Sequence, residues 1–509
     1  MSNQRMSGIL LHPISLPSRW GIGDLGTAAY EFVDFLVAAE QQLWQIMPLG
    51  PTGYGDSPYA SFSAFAGNPL LISVDRLREA GLLTDEELAD APAFFDTAVD
   101  YGMVQNWKLP VLRRSFERFT SAASPEQLQA FDDFRARNQA WLEDYALFAA
   151  LKERHEGASW NSWAPEIARR QPEAVAHWTQ ELREQVRFHT YLQFQFFRQW
   201  YQLKEYANQQ GVRIIGDIPI FVAHDSADLW AHPDIFALDA DGNPEVVAGV
   251  PPDFFSATGQ RWGNPLYRWD VLAQQGYAWW IERFRTMLTL VDIMRLDHFR
   301  GFAAYWEVRA DEETAVNGRW VSGPGSALFE AVRAALGTLP IIAEDLGLIT
   351  PDVEELRDQF NFPGMKVLQF AFSGDSSEPY LPHNYLPHCV VYTGTHDNDT
   401  TAGWWSTTGP HERTHAQLYL GRDGSDIGWD FIRLALASVA EMAIIPLQDV
   451  LGLGSEARMN TPGRPGGNWS WRYTPGMLDQ HVIDRLRLLT RLYGRGRPKA
   501  PEPTSQTRL

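Results

Sequence analysis

Residues 291–300 read VDIMRLDHFR, an apolar run that closes on two charges, Arg295 and Asp297. Side chains two apart share a face of an extended strand, so Val291, Ile293, Arg295 and Asp297 are expected on one side. Asp292, Met294 and Leu296 then take the other. An arginine beside a carboxylate favours the charged form, and Asp297 is expected to be ionised at neutral pH. On their own these ten residues read first as a structural ion pair at a strand end. The rest of the chain decides otherwise.

Seven more runs share this build: GILLHPI (8–14), LWQIMPLG (43–50), VRIIGDIPI (212–220), LPIIAED (339–345), MKVLQFAF (365–372), CVVYTGTHD (389–397) and MAIIPLQD (442–449). Helical patterns lie among them at 27–41, 184–210, 274–290, 327–337, 351–360, 426–439 and 478–494, several with apolar residues spaced i, i+3, i+4. Continuously apolar strands alternating with helices indicate parallel βα units. Eight such strands close a barrel, so the expected fold is α/β, a (β/α)8 TIM barrel over 1–495 without a carboxy-terminal β-sandwich. Two insertions interrupt it: a mainly helical subdomain at 68–183 and a loop-rich stretch at 225–273 that carries a lid. The closing GRPKAPEPTSQTRL (496–509) is rich in proline and polar residues and reads as a flexible tail.

Bulk properties narrow the function. A chain of 509 residues, 45% hydrophobic, can bury a large core. Its formal charge of −20 opposes binding to nucleic acid or to anionic membrane, so a neutral partner is expected. Twenty Trp, 17 Tyr and 28 Phe would suit the flat faces of pyranose rings, although core packing uses aromatics too. A single cysteine, Cys389, permits no internal disulfide, and no run approaches the length of a membrane span. A soluble cytoplasmic protein is the expectation.

Barrel enzymes keep their chemistry at the carboxy-terminal ends of the strands. Inspecting those ends gives Asp217 on the third run, Arg295 and Asp297 on the fourth, Glu344 and Asp345 on the fifth, and His396 and Asp397 on the seventh. No phosphate cradle, His-Glu-x-x-His, Cys-x-x-Cys or Gly-x-Ser-x-Gly occurs to suggest another chemistry. Paired carboxyl groups are the recurring solution for glycosidic bonds, one ionised and one kept protonated. Glu344 follows the apolar LPIIA, where desolvation raises a carboxyl, while Asp297 has Arg295 beside it.

The motifs also carry a resemblance. LLHPISLPSRWGIGDLG (10–26), GYGDSPYASFSAFAGNP (53–69), VAGVPPDFFSATGQRWGNPLY (247–267), RLDHFRGF (295–302), AEDLG (343–347), YTGTHDND (392–399) and RMNTPGRPGGNW (458–469) resemble, in order and over nearly the whole chain, the amylomaltase family of 4-α-glucanotransferases in the α-amylase clan. The resemblance implies Asp297 as nucleophile of a covalent glycosyl–enzyme, Glu344 as general acid and then base, and Asp397 as the third carboxylate that strains the sugar. It implies Arg295, His396 and Asp217 as holders of that sugar, Ser57 and Tyr59 as donor contacts beside Tyr54, and Asn468 as a polar contact nearby. PPDFFSATGQRWG looks like the lid, with Phe254 and Phe255 for stacking and Trp262 on the acceptor side. Trp404 and Trp405 have no such counterpart and are expected in the core.

The implied substrates are maltooligosaccharides, amylose, starch or glycogen-derived glucans, with no cofactor. Two rival readings use the same residues: an α-glucan hydrolase with weak transfer or cyclising activity, and an inactive glucan-binding protein. There are two departures from wider patterns. Phe254 stands where some relatives have tyrosine, and Asp217 is followed by Ile218, Pro219, Ile220, Phe221 and Val222 rather than the Asn-His of full α-amylases. The second removes an oxygen ligand associated with structural calcium, so no metal is expected. Dialysis against EDTA should leave turnover unchanged; a loss restored by calcium would contradict this.

Overall fold

The computed structural model describes residues 5–252 and 256–497. Each of the eight apolar runs supplies one strand: β1 (Met6–Leu10), β2 (Leu43–Gln45), β3 (Arg213–Pro219), β4 (Ile293–Asp297), β5 (Ile341–Ala343), β6 (Gly364–Val367), β7 (Cys389–Tyr392) and β8 (Met442–Pro446). They form one sheet in the order β6-β7-β8-β1-β2-β3-β4-β5, every neighbouring pair parallel.

The two ends of that row meet at β5 and β6. The Ala343 N–H donates to Pro363 O at 2.9 Å. The next rung is made by a side chain: the Met365 N–H donates to Asp345 Oδ1 at 2.7 Å, while Arg357 Nη1 grips Oδ2 at 2.6 Å. Gly364 leaves room for this, since a Cβ there would lie 2.3 Å from Asp345 Oδ2. The barrel therefore closes on a carboxylate one residue beyond Glu344.

Inside the barrel Leu10, Leu43, Ile215, Ile293, Ile342, Met365, Val367, Val390, Tyr392, Met442 and Ile444 pack into one core. Met294 and Leu296 face outward into the larger core between strands and helices. Val291 joins that outer core, against the expected alternation, because β4 begins only at Ile293 and the preceding residues still belong to the helix-to-strand turn. Helices form at Thr27–Ala38, Arg183–Gln209, Ser326–Leu336, Pro351–Gln359, Ile427–Ala437 and Gln480–Leu492. The helix expected at 274–290 is instead two, Trp269–Gln274 and Ala278–Leu290. Gly276 (φ +64°) and Tyr277 (φ +57°) break it in left-handed conformations.

Between β2 and β3 the chain runs through helices at Tyr101–Ala122, Pro125–Arg137, Gln139–Arg154 and Pro172–Glu181. Capping starts two of them: Asp100 accepts from the Met103 N–H, and Ser124 and Gln127 form a reciprocal capping box. Phe119, Phe131 and Phe194 interlock these helices with Arg183–Gln209. That long helix also holds the chain after β2, the Gln193 amide clasping both the N–H (2.7 Å) and the carbonyl (2.9 Å) of Gly67.

The 225–273 stretch, expected to be loop-rich, contributes two strands, Val246–Val250 and Gln260–Pro265. With Ala304–Arg309 and Arg319–Ser322, from beyond β4, they form a four-stranded antiparallel sheet. Phe254 and Phe255 lie outside the described residues, as does 498–509 of the expected tail. Among the described residues no helix is long and apolar enough to cross a membrane.

Gly364→Val tests the seam. Its side chain collides with Asp345, and overpacking of this kind costs about 1–3 kcal/mol. Thermal unfolding should come at a clearly lower temperature than in the parent, with activity falling as the Glu344 loop shifts.

Candidate active site

Arg295 is the hub at the barrel's carboxy-terminal end. It leaves β4 towards the interior, where Met365 Sδ lies 3.4 Å from its Nε. Its Nη1 donates to Asp217 Oδ2 at 2.6 Å and to Asp297 Oδ1 at 2.9 Å. The β3–β4 register places Asp217 opposite Arg295, which is why the contact to Asp217 spans neighbouring strands. Burial opposes a charge on Arg295, but Asp217 and Asp297 outweigh it and hold the guanidinium well above its ordinary range. Burial likewise pushes Asp217 up, to about 6, against the pull of Arg295.

Asp297 and Glu344 are neighbours. Leu296 pairs with Ala343, so the residues that follow sit side by side on adjacent strands, whose backbones run about 4.8 Å apart. Glu344 is held from both sides by backbone: the His298 N–H donates to Oε2 at 2.7 Å and the Leu346 N–H to Oε1 at 2.9 Å. His298 delivers its N–H from a left-handed conformation (φ +51°). Burial raises the Glu344 carboxyl, and the Asp297 charge adds to it, bringing it to about 7 although Arg295 and the two N–H donors pull down. The two carboxyls thus sit in contrasting surroundings, one ion-paired to Arg295 and one desolvated.

The β7 loop brings the other pair. His396 Nε2 lies 3.3 Å from Asp397 Oδ2. Burial disfavours the charge on each. Their mutual attraction prevails, raising His396 and, with Asn460, holding Asp397 well below the usual carboxylate range. Asn460 Nδ2 donates to Asp397 Oδ1 at 2.6 Å, and Arg458 Nη2 to the Asp397 carbonyl at 2.7 Å. The Asp297 and Asp397 side chains remain 28% and 45% accessible, so both open into the cleft.

Tyr59 joins the two halves. Its hydroxyl donates to Asp217 Oδ2 at 2.8 Å, and its ring stacks on His396 with centroids 5.0 Å apart. Trp469 lies against both rings, at 5.8 Å from Tyr59 and 5.9 Å from His396, and the Tyr101 hydroxyl donates to its carbonyl at 2.8 Å. The Tyr101–Ala122 helix of the insertion thereby supports this wall of the site.

Other expected residues take varied positions. Ser57 Oγ accepts from the Tyr59 N–H at 3.2 Å, and Tyr54 projects freely, 81% exposed. Trp262 stands edge-on to His298 at 4.8 Å on the antiparallel sheet. Asn468 is occupied within its own loop, accepting from the Thr461 N–H at 3.0 Å and donating to the Arg464 carbonyl at 2.9 Å. Trp404 and Trp405 pack half-buried against the core, Trp404 on Phe372 and Phe431. Asp345, read as a rim acid, belongs to the seam. Among the described residues no group of His, Cys, Asp and Glu could hold a metal ion.

Sequence reasoning passed over His298, Arg458, Asn460 and Trp469. His298 is a half-buried imidazole next to Asp297; desolvation lowers it to about 4, and its buried Nε2 has no hydrogen-bond partner among the described residues. Its place directly after the strand-end aspartate was the available signal. Arg458, Asn460 and Trp469 all lie in RMNTPGRPGGNW, a segment rich in polar groups that gives no sign of which ones point inward.

An eight-stranded parallel barrel with paired carboxyls in contrasting environments at its carboxy-terminal rim defines an enzyme class that works on glycosidic bonds. The chain belongs to the 4-alpha-glucanotransferase family, whose profile matches residues 11–479. It is 54% identical over 497 residues to the 4-alpha-glucanotransferase of Thermus thermophilus, covering 96% of this chain and 99% of that one. It is 54% identical over 499 residues to that of Synechocystis sp., covering 97% and 99%. Among solved structures, amylomaltase from Streptococcus agalactiae in complex with acarbose superposes with a TM-score of 0.94 at 40% identity, covering 97% of this chain and all of that one. Amylomaltase from Corynebacterium glutamicum, at 22% identity and a TM-score of 0.76 over 96% and 74% of the chains, shares the fold. The activity is transfer of α-1,4-glucan segments from a donor to another glucan.

Glu344, raised to about 7, gives a pH signature. For Glu344 in the general-acid role that the resemblance implies, which requires the protonated form, the expectation is that donor cleavage falls as pH rises through that value. Glu344→Gln, which cannot exchange a proton, should lose about 10²–10⁴ in rate and flatten that limb. A pH–rate profile on an oligomaltoside checks both.

Proposed function

We propose that the residues at this rim carry transfer by a double displacement. Asp297, paired with Arg295, attacks the anomeric carbon of a donor sugar while Glu344 gives its proton to the departing 4-oxygen. The products of this step are a glycosyl–Asp297 ester and a shortened glucan. Glu344, now ionised, takes the proton of an incoming 4-hydroxyl, which displaces Asp297 and restores an α-1,4 bond. Two inversions give retention, and retaining enzymes hold their carboxyls about 5–5.5 Å apart. The placement of Asp297 and Glu344 on adjacent strands, one beside a guanidinium and one desolvated, is the observation that supports these roles.

Asp397 and His396 hold the ring hydroxyls of the donor sugar, with Asp217, Arg295, Tyr59 and Ser57 around it. Asn460 keeps one Asp397 oxygen occupied and leaves the other for sugar and His396. Tyr54 and Asn468 belong to the outer donor side, and Trp262, beside His298, to the acceptor side. Water and sugar compete for the same ester. An oriented 4-hydroxyl gains a large effective molarity over bulk water, which favours transfer. The substrates on this reading are maltooligosaccharides and the longer glucans of starch or glycogen. The acarbose complex of the Streptococcus agalactiae amylomaltase supports an oligosaccharide-sized cleft. A cytoplasmic setting fits the single, buried Cys389.

Incubation with maltotriose should yield a ladder of longer oligomers together with glucose; accumulation of smaller sugars alone would assign the protein to the hydrolases. Asp297→Ala should abolish the ladder and leave glucan binding largely intact.

A further inference from the structure

Asp449, just after β8, has no part in the double displacement, yet it is 2% exposed and engages three donors. Its Oδ2 accepts from the Thr393 hydroxyl at 2.5 Å and the Thr401 hydroxyl at 2.7 Å, and its Oδ1 from the Thr401 N–H at 2.7 Å. Thr393 and Thr401 bracket the β7 loop that carries His396 and Asp397. Other fixings of this loop have different reach. Asn398 Oδ1 binds the Thr395 N–H and hydroxyl within the loop, and Arg458 and Asn460 grip Asp397 from a separate segment. Asp449 alone of these gathers both ends of the loop onto one carboxylate, in the short helix Leu447–Val450 that follows β8.

Building this fastening from a carboxylate has a physical reason. A neutral amide offers one oxygen acceptor, whereas a carboxylate offers two, and here they serve two hydroxyls and one backbone N–H in a site without water access. We infer that Asp449 is a positioning residue for catalysis: by fastening Thr393 and Thr401 it fixes where His396 and Asp397 meet the donor sugar. The inference rests on the donor-side roles proposed above for those two residues. Without Asp449 the loop would keep Arg458 and Asn460 at Asp397, and Gln369 and Ser455 at Asp399, but its two ends would no longer be tied to one another. Small displacements at a reacting centre are expensive in rate.

The test compares Asp449→Ala, Asp449→Asn and Thr393→Val with the parent and with Glu344→Gln, using maltotriose and α-maltotriosyl fluoride as donors and acarbose as inhibitor. Fluoride leaves with its bonding electrons as Asp297 attacks, and needs little proton assistance. The first-turnover burst of fluoride, up to one equivalent per enzyme, should therefore recover in Glu344→Gln, whose ester then persists for want of the base, and should remain slow in the Asp449 variants. Asp449→Ala should lose tenfold or more in kcat, with acarbose inhibition weakened in parallel; Asp449→Asn should be rescued in part, and Thr393→Val should fall between it and the parent. Should Asp449→Ala not fold, Asp449→Asn and Thr393→Val carry the result. The inference is overturned if those two, corrected for folded fraction, keep parental kcat and acarbose inhibition, or if only their melting temperatures change. Parental activity in Glu344→Gln would instead overturn the catalytic roles and leave the Asp449 result to be read separately.

Discussion

A guanidinium buried to 3% exposure needs compensation from every side, and the site is organised around supplying it. Arg295 obtains it from Asp217 on one neighbouring strand and from Asp297 two residues along its own. The arrangement fixes the register of β3 against β4 at the rim and aims Asp297 into the cleft. It also leaves Asp217 with one buried oxygen, Oδ1, that no protein group among the described residues satisfies. The same cluster reaches Tyr59 and, through its ring, His396, so a disturbance of Arg295 would spread to the β7 loop.

Glu344 depends on a different device. Its carboxyl is desolvated but not orphaned, because His298 and Leu346 offer it backbone N–H groups from either side. These two donors hold the side chain in place, which suits the acid-then-base role proposed for it. Arg300 extends the support: it donates to the Leu348 carbonyl beyond the acid and stacks at 3.9 Å over Trp320 of the antiparallel sheet. The acid loop and the sheet that bears Trp262 are thus connected through one side chain.

Much of this was legible in the sequence, for a physical reason. A parallel strand buried on both faces has to be apolar throughout, so the first charges after it mark the rim, as Asp217, Asp297, Glu344 and Asp397 do. What failed to show was of two kinds. The outer strands of the antiparallel sheet, QRWGNP and RWVS, are mostly exposed, and its two inner strands are separated in sequence by β4, so no alternation announced them. Asp345 looked like Glu344's companion because adjacent residues share a motif. Yet neighbours along an extended chain point opposite ways, and Asp345 turned to the seam. Asn460 and Trp469 were hidden for want of any periodicity in their loop.

The antiparallel sheet has a consequence for anyone reshaping the acceptor side. Two of its strands precede β4 and two follow it, so the chain passes through the barrel wall midway, bringing Asp297 with it. The sheet is therefore not a detachable module that can be grafted between enzymes by a single cut and splice. Both halves would have to be exchanged together, along with the stretch between them that bears Asp297. Diversification of acceptor choice within this scaffold should accordingly proceed by point changes on the sheet's surface rather than by recombination of whole segments.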